Sequence, residues 1–199
     1  MKYVIATHNA HKLIELQRIL EPLGIEAVTD RDLGMELPEV EETGTPFAEN
    51  AYLKAASACE STGLPAIADD SGLVVDALGG RPGVYSARYG GGEATDDDRN
   101  VLLLEEMKDI PKGQRSARFV SSVCCVFPNG DVLRAEGTFE GEIAYAPSGE
   151  NGFGYDPIFL VGDRTSAEMS PAEKDAVSHR GNALKKFSEL LKNYIHNDK

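Results

Sequence analysis

The chain is short of three things, and each shortage removes a class of function. No apolar run in its 199 residues approaches the ~20 consecutive apolar residues of a membrane-spanning helix, so no membrane partner is expected. Only three cysteines are present, Cys59, Cys124 and Cys125, an odd count without CxxC spacing that supports neither a disulfide framework nor a zinc site. Cys124 and Cys125 are neighbours in an apolar run and would point to opposite faces of a strand as buried thiols. Basic charge is scarce as well: 20 Lys and Arg face 33 Asp and Glu, a formal net charge of −13, and no stretch concentrates the cations. Neutralised phosphates supply most of the affinity for nucleic acid, so polymeric nucleic acid is not an expected partner. A small phosphorylated ligand is still allowed, because a few convergent cations suffice for it. Repeats, low-complexity tracts and linker-like composition shifts are also missing. Met1 to Ala6 gives way to Thr7-His8-Asn9 too early for a signal peptide, and a cytoplasmic protein is expected.

What is present reads as alternating strands and helices. A balance of 41% hydrophobic and 27% charged residues is that of a soluble globular protein, and the length suits one domain, ordinary or two-lobed. The patterning predicts a strand over 2–7 and a helix from Lys12 to Leu23, with an apolar stripe at Leu13, Leu16, Leu20 and Leu23 and a stop at Gly24. A second strand follows at 25–28. Thr45-Pro46 predicts a cap and a first-turn proline for a helix running to about Ser61, with small Ala51, Ala55 and Ala58 packing closely on a sheet. Leu64 to Ala68 reads as a short buried strand ending in a turn at Asp69-Asp70-Ser71-Gly72. Thr95 with Asp98 opens a helix to about Met107. Residues 117–127 and 132–143 form a hairpin about Pro128-Asn129-Gly130-Asp131. Ser170-Pro171-Ala172-Glu173 opens a short helix. Ser178 caps a last helix with a core face of Ala183, Leu184, Phe187, Leu190, Leu191 and Tyr194. The sum is an α/β fold with a mixed sheet.

Five segments carry candidate chemistry. Thr7-His8-Asn9-Ala10-His11-Lys12 lies between a strand and a helix, where free amides and Lys12 can hold phosphate oxygens, or where Asn9 merely caps the helix. The acidic run Glu39-Val40-Glu41-Glu42 precedes a helix with Glu49, Asn50 and Lys54. Carboxylates beside a phosphate site suit Mg2+, although an acidic run is also an ordinary solvated loop. Asp69-Asp70 stands at a strand end, where α/β sheets open toward ligands, and its two carboxylates cannot face the same way. The stretch Gly152-Phe153-Gly154-Tyr155-Asp156-Pro157 puts two aromatics among glycines, which suits a ring stacking on a nucleobase better than a plain surface loop. Lys174 and Ser178-His179-Arg180 place cations at helix starts, a cost that an anionic ligand would reverse.

Taken with Ala6 to Lys12, Thr45 to Ala51, Ala68 to Leu73, Leu78 to Arg88, Gly152 to Pro157 and Ser178 to Arg180, the sequence resembles the inosine triphosphate pyrophosphatase family, also described as dITP/XTP pyrophosphatases. The resemblance spans nearly the whole chain. It implies an elongated α/β fold, a long mixed central sheet flanked by helices and two lobes enclosing an active-site cleft, in one domain over 1–199 that forms a homodimer. It implies Mg2+-dependent hydrolysis of ITP, dITP and XTP at the α-phosphate to monophosphate and pyrophosphate, which cleanses the nucleotide pool. Thr7, Asn9 and Lys12 would bind the triphosphate, helped by Lys54; His8, Ala10 and His11 complete that segment, His8 and His11 at variable positions. Asp70 would activate water and approach the metal, with Glu42 as the second metal carboxylate and Glu41 or Glu39 as alternatives. Ser71 would contact substrate. Phe153 would stack on the base, with Gly154, Tyr155, Asp156, Lys174, His179 and Arg180 completing the pocket.

Donors from His179-Arg180 would favour a 6-keto purine over adenine; no residue accounts for excluding guanine. The loop Gly90-Gly91-Gly92-Glu93 reads as a tolerated surface turn. Two rival readings stand beside this one: a Maf-like nucleotide pyrophosphatase of other specificity, and a nucleotide-binding sensor without turnover.

Overall fold

Tyr3, Val4 and Ile5 are each no more than 2% exposed, so the opening apolar run forms a strand buried on both faces. In the computed structural model, which describes residues 1–7, 9–38, 40 and 46–197, this is β1 (Lys2–Ile5). It pairs in parallel with β2 (Glu26–Val28) and with β3 (Ala66–Val75). Four further strands, β4 (Ser116–Val126), β5 (Val132–Ile143), β6 (Phe159–Val161) and β7 (Arg164–Thr165), complete one mixed sheet in the order β2-β1-β3-β4-β5-β6-β7. β5–β6 and β6–β7 are antiparallel. The helices are α1 (Ala10–Leu20), α2 (Phe47–Thr62), α3 (Asp96–Glu106), α4 (Pro171–Val177) and α5 (His179–Asn197). None among the described residues is long and apolar enough to cross a membrane. The expected α/β fold with a long mixed sheet is what forms.

The chain divides into two compact units. The first comprises Met1–Asp70, Ser121–Gly137 and Asn182–Lys199. Here the two-residue period of a strand sorts side chains between two cores. Tyr3, Ile5 and Ile67 join Leu16 and Leu20 of α1 and Leu184, Phe187 and Leu191 of α5. Val4, Ala66 and Ala68 meet Ala51, Ala55 and Ala58 of α2, whose small side chains let the helix lie close. Cys125 falls in the first core and Cys124 in the second, on opposite faces as their adjacency requires. Both thiols are free, and burial pushes the Cys125 pKa well above its ordinary value. Gly24 ends the first helical segment in the left-handed conformation at φ 68°, after a short 3-10 turn at Glu21–Leu23.

The second unit comprises Ser71–Val120 and Thr138–Gly181. Its core gathers Leu73 and Val75 with Leu103 and Met107 of α3 and the rings of Phe119, Phe139 and Phe159. Gly141 is required where β5 meets β6, since a Cβ there would lie 2.5 Å from the Leu160 carbonyl oxygen. Arg115 is 2% exposed and meets no carboxylate among its hydrogen-bond partners. Its guanidinium donates instead to the carbonyls of Met107, Ile110, Ile143 and Ala144, so it closes the C-terminal end of α3, where orphan carbonyls collect, against the end of β5. Burial lowers its pKa from the ordinary arginine value.

Four expectations from the pattern need correction. The predicted turn at Asp69-Asp70-Ser71-Gly72 does not form; β3 runs unbroken from Ala66 to Val75, because Leu73 and Val75 are fully buried and extend the strand. Pro46 stands before α2 as its extended cap residue rather than inside the first turn, and Thr45 lies outside the described residues. Leu190 is 40% exposed, since it falls at the margin of the stripe that Leu184, Phe187 and Leu191 define. Tyr155, expected at the surface, is a core residue at 4% exposure. The capping boxes at Thr95–Asp98 and Ser170–Glu173 form as their sequences predict.

Candidate functional site

In the first unit, β3 carries two adjacent carboxylates, and its period sends them to opposite faces. Asp69 shares its parity with Ile67 and meets α1: Lys12 Nζ lies 2.8 Å from Asp69 Oδ2. Asp70 shares its parity with Ala66 and Ala68 and meets α2. Asn50 Nδ2 donates to Asp70 Oδ2 at 3.1 Å, and Lys54 Nζ to Oδ1 at 3.3 Å. Asn50 and Lys54 reach the same carboxylate because residues four apart share a helix face. Asp69 is 3% and Asp70 7% exposed, so each charge sits beside a lysine in a largely desolvated setting.

Upstream, Thr7 and Asn9 shape the entry to α1. Thr7 Oγ1 accepts from the Asn9 amide at 3.2 Å, and Asn9 Oδ1 accepts from the Lys12 amide at 3.2 Å. Asn9 is therefore a helix cap, the structural alternative its sequence allowed. Ala10 and His11 begin α1. Thr7 and Lys54 also line a pocket of about 250 Å3 together with Ile5, Ala6, Asp30 and Ser57. His8 and Glu42 lie outside the described residues, as do Glu39 and Glu41.

In the second unit, the glycine-aromatic stretch is built around Asp156, which is only 2% exposed. Its Oδ2 accepts from the Phe153 amide at 2.9 Å and from Lys174 Nζ at 2.5 Å, and its Oδ1 from the Ser166 hydroxyl at 2.6 Å. Gly152 makes that approach possible: a Cβ there would lie 2.1 Å from Asp156 Oδ2, and its φ of +80° disfavours any other residue. Tyr155 turns inward and donates its hydroxyl to the Ser86 carbonyl at 2.9 Å, and burial pushes its pKa up. Phe153 stays 53% exposed, with Lys174 Nζ 5.0 Å from its ring centroid, a cation–π contact. Of the two aromatics, Phe153 alone presents a face to solvent.

Ser71 opens this unit's share of β3, and Arg180 Nη2 lies 3.5 Å from its Oγ. His179 and Arg180 start α5, where cations oppose the helix dipole, and both are at most 9% exposed. The His179 ring stacks on Phe119 at 5.0 Å and 16°. Lys174, expected at a helix start, sits in the middle of the short α4, so for this residue the dipole argument fails. The loop also has partners that the sequence reading passed over. Asp96 and Asn100 of α3 both bond the backbone of Gly154. Asp96 was hidden in the run Asp96-Asp97-Asp98, which reads only as a favourable first turn.

Mg2+ is best held by one or two carboxylates that leave room for water. Among the described residues no group of three or more His, Cys, Asp or Glu converges. Asp70 supplies hard oxygens of the right kind, whereas Asp69 points to the other face and could not join it.

The chain is similar to known proteins over nearly its whole length. Residues 3–190 match the family model described as the Ham1 family. The chain belongs to the Ham1 family. A dITP/XTP pyrophosphatase of Exiguobacterium sp. is 52% identical over 189 residues, covering 94% of this chain and 95% of the relative. Another dITP/XTP pyrophosphatase, from Thermus thermophilus, is 52% identical over 96% of this chain and 92% of its own. The solved Ham1 protein of Coxiella burnetii superposes with a TM-score of 0.91 at 45% identity, covering 97% of this chain and 99% of that one. Such figures place the Ham1 fold over essentially the full length of the chain.

Proposed function

We propose that this Ham1-family chain hydrolyses ITP, dITP and XTP at the α-phosphate, releasing the nucleoside monophosphate and pyrophosphate and so clearing such nucleotides from the pool. The observation that carries the reading is Asp70, a buried carboxylate held between Asn50 and Lys54, in a chain about half identical to dITP/XTP pyrophosphatases over nearly all of its length. Two donors set the rotamer of Asp70, so that it can accept a proton from an attacking water; general-base help of this kind is worth about 10²–10⁴-fold. Lys12 and Lys54 offset phosphate charge, Thr7 and Asn9 shape the segment that receives phosphate oxygens, and Ser71 contacts the substrate. Charge that develops on the departing pyrophosphate is then met by cations already in place.

The second unit's residues take the base. Phe153 offers the stacking face and Lys174 flanks it. Asp156 acts here by fixing the Phe153 amide and Lys174, because its oxygens are already engaged. Donors at His179 and Arg180 suit the 6-keto oxygen of hypoxanthine or xanthine and leave the amino group of adenine unmatched. Mg2+ would be held by Asp70 and by the acidic segment, Glu42 first. When bound, it would neutralise polyphosphate charge. The protein is expected to act in the cytoplasm as a homodimer.

A panel of ITP, XTP, ATP, GTP, TTP and UTP with Mg2+, resolved by chromatography, tests the reading. IMP and XMP with pyrophosphate, and little turnover of ATP or GTP, are expected. IDP with phosphate would mean attack at another phosphorus and sink the mechanism, while turnover of TTP or UTP alone would favour the Maf-like reading.

A further inference from the structure

The exposed ring of Phe153 is only as well placed as the backbone that carries it, and that backbone is gripped on both sides. On one side, Asp156 accepts from the Phe153 amide. On the other, the peptide groups of Gly154 are both engaged by the first turns of α3. Asp96 Oδ2 accepts from the Gly154 amide at 2.7 Å, and Asn100 Nδ2 donates to the Gly154 carbonyl at 3.0 Å. The Asp96 carboxylate is itself steadied, since Arg99 Nη1 lies 2.8 Å from its other oxygen. Gly154 has φ +63° in a turn closed by the Asp156 amide donating to the Phe153 carbonyl at 3.3 Å, a long bond that the two contacts from α3 reinforce.

The far end of α3 is fixed as well, through the Arg115 guanidinium on Met107 and Ile110 carbonyls. The helix can therefore act as a rigid bar with the Gly154 peptide clamped to its N-terminal end. A loop rich in glycine loses much freedom when ordered; ordering it in advance spares that loss at binding. We infer that Asp96 and Asn100 are positioning residues that pre-organise Phe153 as a base-stacking platform, so that α3 sets affinity for the nucleoside part of the ligand and not for its phosphates. This inference rests on the proposed function only in taking a purine as the group that stacks.

The chain has no tryptophan, so Phe153→Trp installs a single reporter at the platform itself. In that background, quenching by IMP measures stacking without any catalysis. Asp96→Ala and Asn100→Ala are each expected to weaken IMP binding about tenfold, the size of one charge-assisted or buried hydrogen bond. Inhibition of ITP turnover by inorganic triphosphate should keep its Ki in the same variants with Phe153 intact, while their KM for ITP rises and kcat stays within about twofold. Asp96→Asn should restore IMP affinity, because an amide oxygen still accepts the Gly154 N–H; if it stays as weak as Asp96→Ala, the Arg99 pair and not the clamp is responsible, and the inference falls. Unchanged IMP quenching in the alanine variants also overturns it, as does an equal rise in the triphosphate Ki. A protein that binds IMP in this clamp-dependent way yet leaves ITP intact would refute the proposed hydrolysis and keep the clamp.

Discussion

Replacing Asp70 by Asn would keep an oxygen for the Asn50 donor but remove the charge that faces Lys54 and the base that takes the proton. The expected result is a fall in kcat of about 10²–10⁴-fold with ITP still bound, read by product release and by a binding titration of the same variant. Tyr155→Phe makes the opposite prediction. The lost hydroxyl leaves the Ser86 carbonyl without its donor inside a core, so stability should drop by about 1–3 kcal/mol in urea unfolding, with KM for ITP unchanged. An altered KM with normal stability would return Tyr155 to the substrate pocket. At this scale much of the candidate site was legible: Thr7, Lys12, Lys54, Asp70, Phe153 and Arg180 all stand out as polar or aromatic residues in unusual company. Tyr155 was not, because a ring between glycines looks exposed until the distant Ser86 that receives its hydroxyl is known. Asn9 was ambiguous for a related reason, since capping and phosphate binding ask for the same residue type.

Among the elements, α4 shows how local charge supports the site. Glu173 accepts from Arg164 at 2.8 Å and closes the capping box with Ser170, which together lower its pKa from 4.5 to about 2. A folded-state pKa below the unfolded one adds stability that is complete above pH 4.5 and is lost as pH falls toward 2. Glu173→Gln should therefore unfold more easily than the parent near neutral pH, and the gap should close across that acid window in denaturant titrations at several pH values. A gap that is constant with pH would show that packing, not charge, is at stake. For α3, Thr95→Ala removes the hydroxyl that accepts from Asp98 and should cost about 1 kcal/mol. Capping boxes, glycine stops and apolar stripes made the long elements readable, since each is local chemistry. The short β6 and β7 escaped because two or three residues carry no period, and the pairing of β6 with β5, on which β7 then builds, is a long-range fact. β3 was cut short for an instructive reason. Two charges beside a buried strand read as its end, whereas here each is accommodated by a lysine from a different helix, so the strand continues.

For the whole molecule, an acidic chain with a net charge of −13 binds a polyanion only through a few placed cations, and raised salt should weaken ITP binding gradually rather than abruptly. Light scattering at micromolar concentration is expected to give the mass of a homodimer, twice the 21.5 kDa of the chain; a single-chain mass would remove that proposal. The overall α/β class was visible from the alternation of patterns, whereas two lobes were implied by the family resemblance alone; the local pattern shows no boundary, because β3, β4 and β5 each contribute residues to both units. The opposite facing of Asp69 and Asp70 reaches into how such a gene can change. Gaining or losing one codon between Ile67 and Asp70 would turn each carboxylate toward the wrong helix, so that interval should keep its length over evolutionary time even where its apolar neighbours drift. The exposed run at 90–93 faces no such parity rule, and insertions there should accumulate freely.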